Sequence, residues 1–139
     1  MKLLLEKWQQ FLKEDSTVVT VNIKGVPLEL EVAADEQSRN DGLMFRDSLG
    51  ENSGMLFLFP DSAERSFWMK DTYIPLSIAF IDNTGTITVI KDMAPESLSS
   101  VTSETPAQYA LEMPLGWFDK HNLLPGHKVL GIPSLENDA

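Results

Sequence analysis

The residues best equipped for chemistry fall in one stretch, Ser66-Phe67-Trp68-Met69-Lys70-Asp71-Thr72-Tyr73-Ile74-Pro75-Leu76. Strand alternation sets Ser66, Trp68 and Lys70 on one face and Phe67 and Met69 on the other. An indole and an ammonium two residues apart on one face can form a wall of a recognition cleft. The ring supplies a stacking surface and the lysine a contact for an anion. The same pattern also fits a Trp68 packed in the core with Lys70 snorkelling to solvent. A second group, Gly42-Leu43-Met44-Phe45-Arg46, ends an apolar trio with a guanidinium that can equally serve helix C-terminal carbonyls. Glu112 stands between Leu111 and Met113 on an otherwise apolar strand and is the natural partner for Arg46 or Lys70. It either points to water or, if buried, needs a partner, because an isolated buried carboxylate is very costly.

Other catalytic templates are missing. The sequence has no glycine-rich phosphate loop, no Gly-x-Ser-x-Gly elbow and no His-Glu-x-x-His. The two histidines, His121 and His127, flank Pro125-Gly126 at a spacing that is no standard metal motif, so neither a metal nor a cofactor is expected. With no cysteine, thiol nucleophiles, disulfides and cysteine-bound clusters are excluded.

Short strands must position these groups. Val19, Val21 and Ile23 alternate with polar neighbours, then Val26, Leu28, Leu30 and Val32 do the same, with Lys24-Gly25 between them as a hairpin turn. Pro27 cannot donate to a ladder, which places it at an edge or toward solvent. Asp35 caps a helix over Glu36 to Asp41, and Gly42 ends it. Met55 to Phe59 reads as a buried strand, followed by strands at Ser66 to Met69, Leu76 to Ile81 and Thr86 to Ile90, the last two joined by the turn Asp82-Asn83-Thr84-Gly85. The Ser/Thr-rich stretch from Ser97 to Pro106 is a surface connection that crosses the fold or borders a site. Gln108 to Met113 is a strand, Gly116-Trp117-Phe118 opens a helical turn, and a last strand lies near Lys128 to Ile132. Ahead of these, Leu4, Trp8, Phe11 and Leu12 line one face of an N-terminal amphipathic helix over residues 1–15, a stripe for packing on the protein's own body or, by self-association, on a partner copy, with membrane-surface attachment as the alternative. The organisation expected is this helix, one β-rich domain over residues 16–133 and an acidic tail over 134–139. The fold class is mostly β, with α+β as the alternative: a small, partly closed barrel of about eight short strands with one or two short helices.

At 139 residues the chain suffices for one core, and its net charge of −10 opposes attraction to nucleic acid and anionic lipid. No run of residues is long and apolar enough to span a membrane, and the early Leu3-Leu4-Leu5 run is too short for an export signal. The literal reading is therefore cytoplasmic, with a periplasmic or extracellular location if a signal has been removed.

Five phrases in order, namely Gly42-Leu43-Met44-Phe45-Arg46, Gly54-Met55-Leu56-Phe57-Leu58-Phe59-Pro60, Phe67 to Thr72, Ile74 to Ile81 and Tyr109 to Trp117, resemble the prokaryotic family known as domain of unknown function 192. The resemblance runs from about Val18 to Ile132. It implies a β-rich, partly closed barrel with a helix, and no established activity. Carried over by position, the recurrent polar residues of the family are Arg39, Arg46, Trp68, Lys70, Thr72 and Glu112. Relatives often have Asn in place of Asp71 and an acid in place of Ser77, which leaves Glu112 as the main acid for a site.

Together these residues lead to a non-catalytic ligand- or partner-binding module, with a cleft lined by Arg39, Arg46, Trp68, Lys70, Thr72 and Glu112. Its partner would be a small molecule, an anion among the possibilities, or a protein or glycan. The alternatives are a small hydrolase or lyase using Glu112 as acid or base, and a structural protein with no small-molecule site.

Overall fold

The computed structural model describes residues 18–135. The expected N-terminal helix and the end of the acidic tail lie outside the described residues.

The chain runs through β1 (Val18–Ile23), β2 (Val26–Ala33), α1 (Glu36–Asp41), β3 (Met55–Ala63), β4 (Ser66–Phe67), β5 (Leu76–Ile81), β6 (Ile87–Met93), β7 (Val101–Thr102), β8 (Ala107–Pro114), α2 (Trp117–Lys120) and β9 (Val129–Leu130). The first hairpin closes as its sequence requires. Lys24 and Gly25 both take positive φ, 53° and 83°, the paired left-handed turn whose twist matches that of its strands. At the start of α1, Asp35 accepts from the Ser38 N–H at 2.7 Å and the Ser38 side chain returns the bond, a complete capping box.

Seven strands form one sheet in the order β6-β5-β8-β3-β2-β1-β9, and β4 pairs with β7 apart from it. All neighbours are antiparallel except β2 and β3, which α1 connects in parallel. Pro27 pairs with Asn22 at the end of β2 that β3 does not reach, so its missing donor interrupts no ladder. The sheet curls until its two ends meet. Thr86 bridges Lys128, the Ile87 N–H donates to the His127 carbonyl at 2.9 Å, and the Val129 N–H donates to the Gly85 carbonyl at 2.8 Å. The result is the partly closed, mostly β barrel that the strand pattern implies.

Both faces of the sheet are buried. The concave face holds Val21, Leu30, Leu56, Ala79, Leu111 and Met113 against Trp117 and Phe118 of α2. The convex face holds Phe57, Ile78, Phe80 and Ala110 against Leu43 and Met69, which come from the connections that cover it. This double burial explains why Met55 to Leu58 and all six residues of β5 are apolar or small without alternation.

Several elements depart from the sequence-based expectation. The strand at Met55 passes Pro60 and runs on to Ala63, which rejoins β8 opposite Ala107 after a register shift. The strand at Ser66 stops at Phe67, because the Met69 N–H donates to Ser97 of a crossing connection rather than to a continuing ladder. The strand after Gly85 runs on to Met93, paired with β5 throughout. The Ser/Thr-rich connection contains β7, whose Thr102 and Val101 pair with Ser66 and Phe67, which brings the described strands to nine.

Candidate functional site

The convex face carries a cleft of about 160 Å³ lined by Arg39 and Asp41 of α1, Met44, Trp68, Lys70, Thr72 and Glu112, with Phe57 and Phe59 beneath. Its floor is the sheet. Register places Glu31, Met55, Glu112 and Ile78 in one row across β2, β3, β8 and β5, so Glu112 points to the same side as the convex core. Gly54 lets β8 come this close. A Cβ there would collide with the Glu112 carbonyl and the Met113 sulfur.

Glu112 is 5% exposed and makes no side-chain hydrogen bond or ion pair among the described residues. Among those residues no fully enclosed side-chain oxygen or nitrogen lacks a partner, so its carboxyl opens into the cleft rather than being sealed. Burial pushes this carboxyl from the usual 4.5 up to about 8, because the charged form loses water that nothing replaces.

The walls come from two tied loops. Phe45 and Asp71 both adopt left-handed backbone, φ 64° and 53°, and the Phe45 N–H donates to the Asp71 carbonyl at 2.8 Å. Asn and Asp tolerate that conformation best among non-glycine residues, which suits Asp71 to this turn. Thr72 is buried, donates its hydroxyl to the Lys70 carbonyl at 3.1 Å, and accepts at its own carbonyl from the Glu96 N–H at 2.8 Å. Trp68 projects outward, 52% exposed, with the Lys70 ammonium 5.6 Å from its ring centre. Arg39 lies 5.1 Å above the Phe59 ring, and its Nη1 donates to the Ala34 and Leu58 carbonyls at 2.9 and 2.8 Å. That leaves Nε and Nη2 without a hydrogen bond among the described residues.

Five of the six residues singled out in the sequence thus converge: Arg39, Trp68, Lys70, Thr72 and Glu112. Arg46 is placed elsewhere. Its two terminal nitrogens grip Glu31 in a bidentate pair at 2.5 and 2.7 Å, tying the loop after α1 to β2. Glu112 therefore has no partner in Arg46. Sequence reasoning missed Asp41 and Phe59 as lining residues, and of the second group it singled out it picked Arg46 where the fold turns Met44 to the cleft.

Ser77 belongs to the other face, in register with Met113. Its hydroxyl donates to Asp92 at 2.8 Å and accepts from the Gly116 N–H at 3.0 Å. It lines a second hollow of about 300 Å³, whose buried polar side chain is thereby already satisfied. His121 stacks on Trp117 at 4.2 Å, and His127 bonds the Leu124 backbone. Among the described residues no group of three or more His, Cys, Asp or Glu side chains is placed to hold a metal ion, and no helix is long and apolar enough to cross a membrane.

Fold and cleft together define a class: a curled half-barrel whose convex face is roofed by loops around a polar cleft. The chain belongs to the DUF192 family, described as "Uncharacterized ACR, COG1430", which it matches over residues 17–131. Solved structures similar to it include two proteins at the same identity. One is a protein from Sinorhizobium meliloti 1021 described as a "putative transcription regulator", 32% identical, with a TM-score of 0.78 over 83% of this chain and 95% of that one. The other is a protein of unknown function from Novosphingobium aromaticivorans DSM 12444, also 32% identical, with a TM-score of 0.73 over 81% of this chain and 84% of that one. No curated protein matches the sequence.

Proposed function

We propose that the protein binds a small polar molecule in the convex-face cleft. The observation that carries this reading is Glu112, a buried carboxyl that opens into the cleft without a partner. A group of that kind is rare in a fold that only packs, since buried polar groups are nearly always satisfied. The exposed indole of Trp68 beside it adds a stacking surface with little role in the core. A purely structural reading would want Glu112 paired and Trp68 enclosed, and neither is so. The description of one similar structure as a transcription regulator fits a ligand-responsive role better than direct contact with DNA, which a charge of −10 opposes.

The test is calorimetry of the purified protein against panels of sugars, small peptides, organic acids and amines. Saturable binding of one class is expected, weakened at least about tenfold by Trp68→Ala combined with Lys70→Ala. Binding that survives both substitutions would overturn the site, and the absence of binding across every class would overturn the function.

One observation favours a second reading, in which Glu112 acts as an acid or base: its carboxyl changes charge near neutral pH inside a cleft, as a proton-transfer group must. Turnover of a bound ligand that Glu112→Gln abolishes would establish it.

A further inference from the structure

The charged groups around the cleft are unevenly disposed. Arg39 and Lys70 line it together with one ionised acid, Asp41, so with Glu112 uncharged the lining carries one net positive charge, in a protein whose overall charge is −10. Other elements packed around Glu112 add no competing charge. Met55 and Phe57 of β3 and Ile78 of β5 are apolar, and Glu31, in the same row on β2, is held by Arg46. Among the charged and ionisable groups of the lining the free donors therefore outnumber the free acceptors: the Nε and Nη2 of Arg39, the Lys70 ammonium and, when protonated, the Glu112 hydroxyl stand against the Asp41 carboxylate, which already accepts from Gln37, beside the neutral Asn40 and Ser66. A donor-rich pocket is filled by an acceptor-rich ligand.

We infer that the cleft recognises a small carboxylate-bearing molecule, held by Arg39 and Lys70 at the walls and by a hydrogen bond donated from the Glu112 carboxyl at the floor. This deepens, and rests on, the binding reading above. A carboxylate suits the set because it accepts from both guanidinium and carboxyl groups in short charge-assisted bonds. The exposed Trp68 ring covers the apolar body of the ligand. Size limits that body, since about 160 Å³ lies well below the roughly 300–1,000 Å³ of pockets for drug-sized molecules. The Glu112 proton is held up to about pH 8, so the donor is present at neutral pH. Raising the pH through that value ionises it and sets a carboxylate against a carboxylate.

The experiment follows the Trp68 indole N–H by NMR during titration with lactate, succinate and benzoate and with the corresponding amides. At least one carboxylate is expected to shift the signal saturably, while its amide does not and Lys70→Ala abolishes the effect. Between pH 7 and pH 9 the wild-type affinity falls about tenfold, the change in the protonated fraction of a group titrating near 8. In Glu112→Gln the ratio between the two pH values collapses to within about twofold. Amides that bind as tightly as acids, or equal pH ratios in the two proteins, would overturn the inference. Neutral compounds that bind through Trp68 while acids do not would reject the carboxylate and leave the binding cleft standing. No binding by either class of compound would reject the carboxylate as well, and the broader calorimetric panel then decides the cleft.

Discussion

Replacing Glu112 by Gln should stabilise the folded protein. In the unfolded chain this carboxyl ionises from about 4.5 upward, whereas in the fold it keeps its proton to about 8. The native state therefore binds more protons than the unfolded state across that window, and stability falls as pH rises through it, flattening above and below. At pH 7 the difference spans about 2.5 pH units, or about 3 kcal/mol at 1.36 kcal/mol per unit, and above pH 8 it approaches about 5 kcal/mol. Glutamine keeps shape and a donor but never ionises, so it removes that penalty. The assay is urea unfolding followed by tryptophan fluorescence and circular dichroism, for wild type and Glu112→Gln at pH 4, 7 and 9. The variant gains nothing at pH 4, up to about 3 kcal/mol at pH 7 and more at pH 9, and the difference between the two proteins isolates Glu112 from every other titrating group. A variant that is less stable at pH 9, or whose stability parallels the wild type at all three values, would refute an unpaired buried carboxyl. Stabilisation on removing an ionisable group is itself a mark of a position kept for use rather than for folding.

Two further outcomes test the geometry around this group. Gly54→Ala drives a methyl into the Glu112 carbonyl and the Met113 sulfur and should cost roughly 2–4 kcal/mol in the same unfolding assay, because strand backbone cannot swing aside as a flexible side chain can. Arg46→Ala breaks a bidentate pair whose side chains are 36% and 39% exposed, so solvent screening holds its cost to about 1 kcal/mol or less, shrinking in high salt, and ligand affinity in the calorimetric titration stays within about twofold.

The hairpin at Lys24-Gly25, the cap at Asp35 and the turn at Asp82 to Gly85 were legible in the sequence because each depends on local chemistry: left-handed backbone, a short acceptor, a side chain that mimics a turn. Strand ends were less so. Ser66 to Met69 alternates as a strand should, and Met69 is indeed buried while Trp68 is not, yet the ladder ends early because Ser97, distant in sequence, takes the next hydrogen bond. The direction of Glu112 had two readings for a related reason. On a sheet with one wet face, an acid among apolar neighbours points to water, and only the connections that roof the convex face reverse that inference. Arg46 shows the same limit. Its type and position mark it for an ion pair, but the choice among Glu31, Glu112 and others is made by the fold, which aligns β2 rather than β8 beneath it.

The roofed sheet gives the cleft a floor and walls of unequal stiffness. The floor belongs to β3, β5 and β8, strands locked on both edges and packed on both sides, and these open only with the whole molecule. The walls hang from the short helix α1, from β4 and β7, two residues each, and from turns held by a few backbone bonds such as Phe45 to Asp71 and Glu96 to Thr72. A ligand touching both would fasten the loose layer to the rigid one. Its arrival would register as slower amide exchange in the roof, with the barrel beneath left undisturbed.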